Sequence, residues 1–299
     1  MIVERHIRFG NTLSPLWKWL LIYLTICTTV AVLFKEYGID LTMPNSVVTI
    51  VGTALSILMG FRVDAAYQRW WEARKIWGEI VNSSRSLARE ALGFLQDHPE
   101  MHDGAKKMIY RQIAFVHAST LHLRRQTDKY DQLRPFLSKE EAENALGRTT
   151  VPNQLLLLHL RQLQEYHRKS YLSDYLFAKI EEVIVVLTDQ IGKAERIKNT
   201  PFPVPYSYFS YLSVHIFAFL IPFGFIDELG YFTIPIAMVV IFIFVIIEQI
   251  ALKIQDPFEN EDNDTSMSTI SRNIEIDLKD MLDESPLPEK LSPVNGVMM

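Results

Sequence analysis

Thr53, Ile57 and Phe61 are spaced at i, i+4 and i+8, so they share one face of a helix. A hydroxyl, a branched aliphatic and an aromatic ring follow one another along that face. Repeated around an axis, they would form a wet ring above two apolar ones. Apolar rings of this kind gate ions by dewetting. Spacing alone leaves a second reading open, in which the same face packs against lipid or a protein core. The run that carries them, Leu41 to Phe61, holds twenty-one residues without a charge. A helix of about 20 apolar residues spans the hydrocarbon core of a bilayer. This run also carries Asn45, Ser46, Thr49, Gly52, Ser56 and Gly60. Small side chains let helix backbones approach, and hydroxyls line polar paths. The run reads as a helix packed on other helices around a pore.

Arg62, Asp64, Arg69 and Glu72 follow directly. Arg69 with Trp70 and Trp71 matches an interfacial anchor, since basic and aromatic residues mark membrane boundaries. An Asp64–Arg69 pair inside a helical bundle is the alternative. Further on, Asp256 to Asp264 holds five carboxylates and no basic residue. Oxygen-rich loops bind calcium, but this one lacks the glycine of an EF-hand loop and reads first as a solvated acidic turn. His117 and His122 are five apart, and His159 and His167 eight apart. Neither pair has the i, i+4 spacing of helical metal ligands, so all four read as packing or surface residues. His215 lies inside an apolar run, where it would line a polar path or bond a neighbouring helix. No phosphate-binding G-x-x-x-x-G-K-[ST] loop and no G-x-S-x-G elbow occurs. The chain therefore does not read as an enzyme.

The elements that must position these residues are helices. Apolar segments run from Trp17 to Phe34, Leu41 to Phe61, Pro201 to Ile226 and Leu229 to Ile247, the last ended by Glu248. Each is long enough to span a bilayer. Links Lys35–Asp40 and Asp227-Glu228 are short and acidic. Positive charge clusters at Arg5, His6, Arg8 and Lys18, then at Arg62, Arg69, Arg74 and Lys75, and again at Lys193, Arg196 and Lys198. The positive-inside rule makes those flanks cytoplasmic, and four spans return both termini to that side. No small-residue cleavage site follows the first apolar run, so no cleaved leader is expected.

The resulting division is an N-terminal segment with spans of about 17–34 and 41–61 in residues 1–61, then a cytosolic helical domain over 62–199. Spans of about 203–226 and 229–250 occupy 200–254. An acidic turn and a C-terminal helix cover 255–283, and 284–299, rich in proline, reads as a flexible tail. Within the helical domain, Leu176, Ile180, Val183, Ile184 and Leu187 recur at steps of three and four. Mean hydropathy of +0.07 with 22% charged residues fits apolar and polar parts segregated along the chain. A net charge of −5 argues against a nucleic-acid partner. The single cysteine, Cys27, permits no intramolecular disulfide and no cysteine zinc cluster.

Several separate motifs resemble the bestrophins. They are Gly60-Phe61-Arg62-Val63 through Arg69-Trp70-Trp71-Glu72-Ala73-Arg74 with Trp77-Gly78, and Asp256-Pro257-Phe258-Glu259-Asn260 with Asn263-Asp264. Arg111-Gln112-Ile113-Ala114-Phe115, Glu195-Arg196-Ile197 and Asn199-Thr200-Pro201 resemble bacterial members. The resemblance runs over about residues 1–283. It implies an all-α membrane protein with four spans per subunit and a cytosolic helical bundle, assembled as a homopentamer around one central pore in the cell inner membrane. It implies passive conduction of ions, chiefly anions such as chloride, with cation (sodium) conduction the alternative known among bacterial relatives. By position it assigns the pore neck to Thr53, Ile57 and Phe61 and a cytosolic constriction to Leu176. Its calcium clasp would survive as Asp256, Glu261 and Asp264, with Asn260 replacing a glutamate, so no cofactor is expected and calcium is at most a weak ligand. Thr53 also departs from animal members, which are apolar there. A membrane-anchored helical enzyme or receptor is the reading of another class. A secondary transporter would show inverted repeats, and none is visible.

Overall fold

The computed structural model describes residues 16–95 and 99–299. Expectations resting on Arg5, His6 and Arg8, including the side on which the N-terminus lies, fall outside those residues. The described residues are helical, with no strand beyond one isolated bridge between Val294 and Val297. They form two compact units. One comprises described residues 16–69 and 201–256. The other comprises 70–95, 99–200 and 257–299.

The first unit is apolar. It contains α1 (Trp17–Lys35), the first half of α2 (Asn45–Leu95), α7 (Val204–Leu229) and α8 (Thr233–Ile254). Three helical stretches are long and apolar enough to cross a membrane: α1, α2, and the α7–α8 stretch Val204–Ile254. α1 packs on α7 and α8, and α7 on α8. Their shared core includes Tyr23, Cys27, Val48, Leu55, Met59, Phe217 and Ile241.

Two boundaries differ from the hydropathy reading. The second apolar run becomes helical at Asn45, because Pro44 disfavours helical geometry in the residue before it. Met43 instead donates its N–H to the Phe223 carbonyl, at 2.9 Å. Nor does the helix stop at Phe61. It runs on to Leu95, a single helix of 51 residues from Asn45. Asp227 and Glu228 lie in the last turn of α7. The link is the single 3₁₀ turn Gly230–Phe232, opened by Gly230 at φ +53°.

The second unit holds α3 (Pro99–Leu123), a 3₁₀ segment (Thr127–Phe136), α4 (Lys139–Ala145), α5 (Val151–Arg168), α6 (Asp174–Asn199) and α9 (Met267–Asp280). Ser138 caps α4 through a reciprocal capping box with Glu141, and the Ser173 hydroxyl caps α6. Helix α3 is the hub, packing on α5, α9 and the 3₁₀ segment. Its Ile109, Ile113 and Phe115 join Trp77, Ile80 and Leu87 of α2 in one apolar core. The proline-rich tail is not independent of this core. The Met299 carbonyl accepts both the N–H and the hydroxyl of Thr269, at 2.7 and 2.9 Å.

Small residues set the spacing in the apolar unit. A Cβ on Gly52 would fall 2.9 Å from the Phe217 ring, and one on Gly224 would collide with the Val48 side chain. Gly60 has nothing within 4 Å of that position. Gly224→Leu should therefore destabilise the detergent-solubilised protein by about 1–3 kcal/mol through overpacking. Gly60→Ala should leave the melting temperature of the same preparation unchanged.

Candidate functional site

Helix α2 has two unlike faces between residues 48 and 66. Val48, Leu55, Met59, Arg62 and Ala66 are buried. Thr53, Ile57 and Phe61 are exposed, Ile57 at 58% and Phe61 at 67%. All three residues of the expected neck therefore turn away from the apolar core of their own chain. They extend over about 12 Å of helix axis, at 1.5 Å per residue. A large exposed apolar stripe on a monomer marks a surface completed by something else, whether protein or lipid.

Arg62 does not join that stripe. It follows Phe61 by one residue, which turns its side chain by roughly 100°. Its residue exposure is 0%. Its Nη2 donates to Gln255 Oε1 at 2.6 Å, and its guanidinium lies 4.2 Å from the centre of the Phe202 ring. The Glu248 carboxylate is 3.9 Å from its Nε. Ser210 donates its hydroxyl to the other Glu248 oxygen at 2.8 Å and also touches Met59 Sδ. A buried cation is tolerated only when paired and hydrogen-bonded. Glu248 supplies the counter-charge, Gln255 a hydrogen bond and Phe202 a ring face, while the guanidinium Nε and Nη1 have no hydrogen-bond partner. None of these partners stands out in the sequence. Glu248 reads there only as the end of an apolar run.

The other charged candidates are also placed. Arg69 pairs with Asp256 at 3.6 Å, not with Asp64. Asp64 is exposed and accepts a long hydrogen bond from Gln68, at 3.4 Å. Trp70 is more than an interfacial anchor, because its Nε1–H donates to the Asn263 carbonyl at 2.9 Å. His215 bonds the Tyr23 hydroxyl across to α1 and meets the Tyr211 ring edge-on and the Trp19 ring at a tilt. Leu176 is half-buried in the first turn of α6, packed on the core of its unit, with its N–H held by Ser173 Oγ at 3.3 Å.

His117, His122, His159 and His167 each have a partner within the helical unit. His117 pairs with Glu275 and stacks on Phe136, and His122 pairs with Glu195. His167 pairs with Asp174. His159 is buried beside Arg111; burial, then that guanidinium, pushes its imidazole well below its ordinary range. Burial alone would raise Glu275, but its bonds to His117 and Lys279 hold it down to about 2.

The residues of the calcium-clasp resemblance have partners or surroundings of their own. Asp256 is already beside Arg69, and Glu261 is exposed. Asp264 is buried, and its Oδ2 accepts the Asn260 N–H at 2.7 Å. Burial pushes its carboxyl up to about 6. Among the described residues no three His, Cys, Asp or Glu side chains are grouped to hold a metal. Calcium needs six to eight oxygens with little competing charge.

The chain is similar over most of its length to proteins of one family. A family model described as bacterial/fungal bestrophin protein matches residues 6–280. A voltage-dependent anion channel-forming protein of Escherichia coli strain K12 is 32% identical over 289 residues, covering 95% of this chain and 92% of that one. One of the same description from Ralstonia nicotianae is 30% identical, covering 97% of each. The crystal structure of a bacterial bestrophin homologue from Klebsiella pneumoniae superposes with a TM-score of 0.82 at 27% identity, over 89% of this chain and 98% of that one.

The buried pair yields a test of its own. Arg62→Met should leave Glu248 uncompensated and cost about 3–5 kcal/mol of stability, seen as a fall in melting temperature and yield. The double variant Arg62→Met, Glu248→Met should recover most of that loss.

Proposed function

This chain belongs to the bacterial and fungal bestrophin family, and on that premise we propose that it assembles as a homopentamer around one central, passively conducting anion pore. It is an all-helical membrane protein and a channel, not an enzyme. The observation that carries the pore reading is the outward stripe Thr53, Ile57 and Phe61 on a helix whose opposite face is fully packed. One such helix cannot enclose a path. A closed ring of identical subunits can, because rotational symmetry turns the same stripe of each copy toward one axis.

In that ring Ile57 and Phe61 form the narrow apolar part of the neck, and Thr53 a wetter ring beside it. An ion crossing apolar rings loses hydration without gaining ligands, so these rings limit flow. Leu176 forms a second, cytosolic constriction. Its seat on the core of its unit and its capped helix turn make it a rigid one. The protein sits in the cell inner membrane with both termini cytoplasmic, and its partners are the bilayer, inorganic ions and further copies of itself. Chloride is the expected physiological anion, in line with the anion channel-forming names of the relatives. Opening needs no calcium, because the acidic turn is already compensated by Arg69 and by backbone donors.

A cation-conducting reading has one specific observation behind it. Arg62 is buried and paired, whereas Asp64 stays exposed on the side of the helix that carries the neck.

Purified protein should run as one species near five times 34.6 kDa and conduct in planar bilayers. Ile57→Ala and Phe61→Ala should each raise conductance or open probability about twofold or more, and Thr53→Ile should lower it. Calcium chelation should leave the currents as they are. Parent-like currents from Ile57→Ala and Phe61→Ala, at equal amounts of assembled protein, would move the constriction elsewhere, with Leu176 the first alternative.

A further inference from the structure

Between Asn45 and Trp71 the helix carries three charged residues: Arg62, Asp64 and Arg69. Two are neutralised within their own unit. Arg62 is buried against Glu248 and Gln255, and Arg69 is mostly buried beside Asp256. Asp64 is left as the exposed charge of this stretch. Its hydrogen-bond partner, Gln68, is neutral and lies on the same helix. Asp64 also follows Ile57 by seven residues. Seven residues of an α-helix return the side-chain direction to within about 20° of its start. The carboxylate therefore points nearly as Ile57 does, two turns further along. It lies about 4.5 Å of helix axis beyond Phe61.

We propose that Asp64 weakens the preference of the pore for anions over cations. The inference rests on the reading of α2 as the pore helix. In a ring of subunits, five Asp64 carboxylates surround the axis just beyond the narrowest apolar ring. Neutral rings discriminate poorly by charge, so the nearest unpaired charged ring shifts the balance of anions and cations that reach the neck. A carboxylate ring concentrates cations there and depletes anions. Arg62, the cation next to the neck in sequence, contributes little to this field because Glu248 and Gln255 hold it on the opposite face. The chain thus differs from a simple anion pore at one identifiable side chain. Asp64 lowers the anion-to-cation permeability ratio below what the neck alone would give.

The test is the reversal potential of purified channels in planar bilayers under a potassium chloride gradient. Asp64→Asn should raise the chloride-to-potassium permeability ratio by about threefold or more, and Asp64→Lys should raise it further. The parent supplies a second reading without any substitution. An exposed charged ring is screened by salt, with a Debye length of about 10 Å at 0.1 M and 3 Å at 1 M. The parent's chloride-to-potassium permeability ratio should therefore rise as salt is raised at a fixed gradient, and the Asp64→Asn channel should lose most of that dependence. Parent-like reversal potentials in Asp64→Asn and Asp64→Lys at low salt would overturn the inference. If Ile57→Ala still changes conductance in that case, the neck reading stands and only the role of Asp64 falls. If Ile57→Ala is also silent, α2 does not line the pore and both readings fall together.

Discussion

The rotation of α2 about its own axis depends on where one guanidinium can be buried. Arg62 sits at the edge of an apolar helix face, and a charge there must be compensated. Glu248, Gln255, Ser210 and the Phe202 ring supply that compensation from one side only. Turning α2 by half a turn would expose Met59 and Leu55 and leave Glu248 buried without its cation. The penalty for an unpaired buried charge is several kcal/mol. Buried ion pairs contribute little net stability, but a pair of this kind fixes register. Once Arg62 faces inward, Thr53, Ile57, Phe61 and Asp64 must face outward. Gly52 and Gly224 support the same arrangement, because each leaves room for a side chain of the facing helix, Phe217 and Val48.

Much of this was legible in the sequence, and for a definite reason. A helical repeat of 3.6 residues makes i, i+4, i+8 a statement about direction, so the shared face of Thr53, Ile57 and Phe61 needs no tertiary information. What hydropathy misreads are the helix ends. It measures apolar length and not backbone geometry, so Leu41 to Pro44 counts as span although Pro44 keeps it extended. Asp227 and Glu228 count as loop although they complete a helical turn. The partners of Arg62 and Arg69 were not legible. They lie nearly two hundred residues away, and no local pattern marks Glu248, Gln255 or Asp256 as the answer to an arginine on α2. The tail after Pro286 is a similar case, since its Met299 carbonyl accepts from Thr269 thirty residues back.

The two units divide the work by chemistry. The apolar unit packs branched and aromatic side chains around small residues and spends its few polar groups on pairs such as Tyr23 with His215. The helical unit buries Arg111 with Glu141 and rings Glu275 with His117 and Lys279. These buried charges are paired within their own unit.

The central claim is that the outward stripe of α2 lines the conducting path, and cysteine accessibility tests it most directly. Cys27 is the single native cysteine, so a Cys27→Ala background can carry one reporter at each position from Ile50 to Gln68. A water-soluble thiol reagent should block current through cysteines at positions 53, 57, 61 and 64, and leave cysteines at 55, 59 and 66 untouched. Block at the second set, or the same response at every position, would contradict the account.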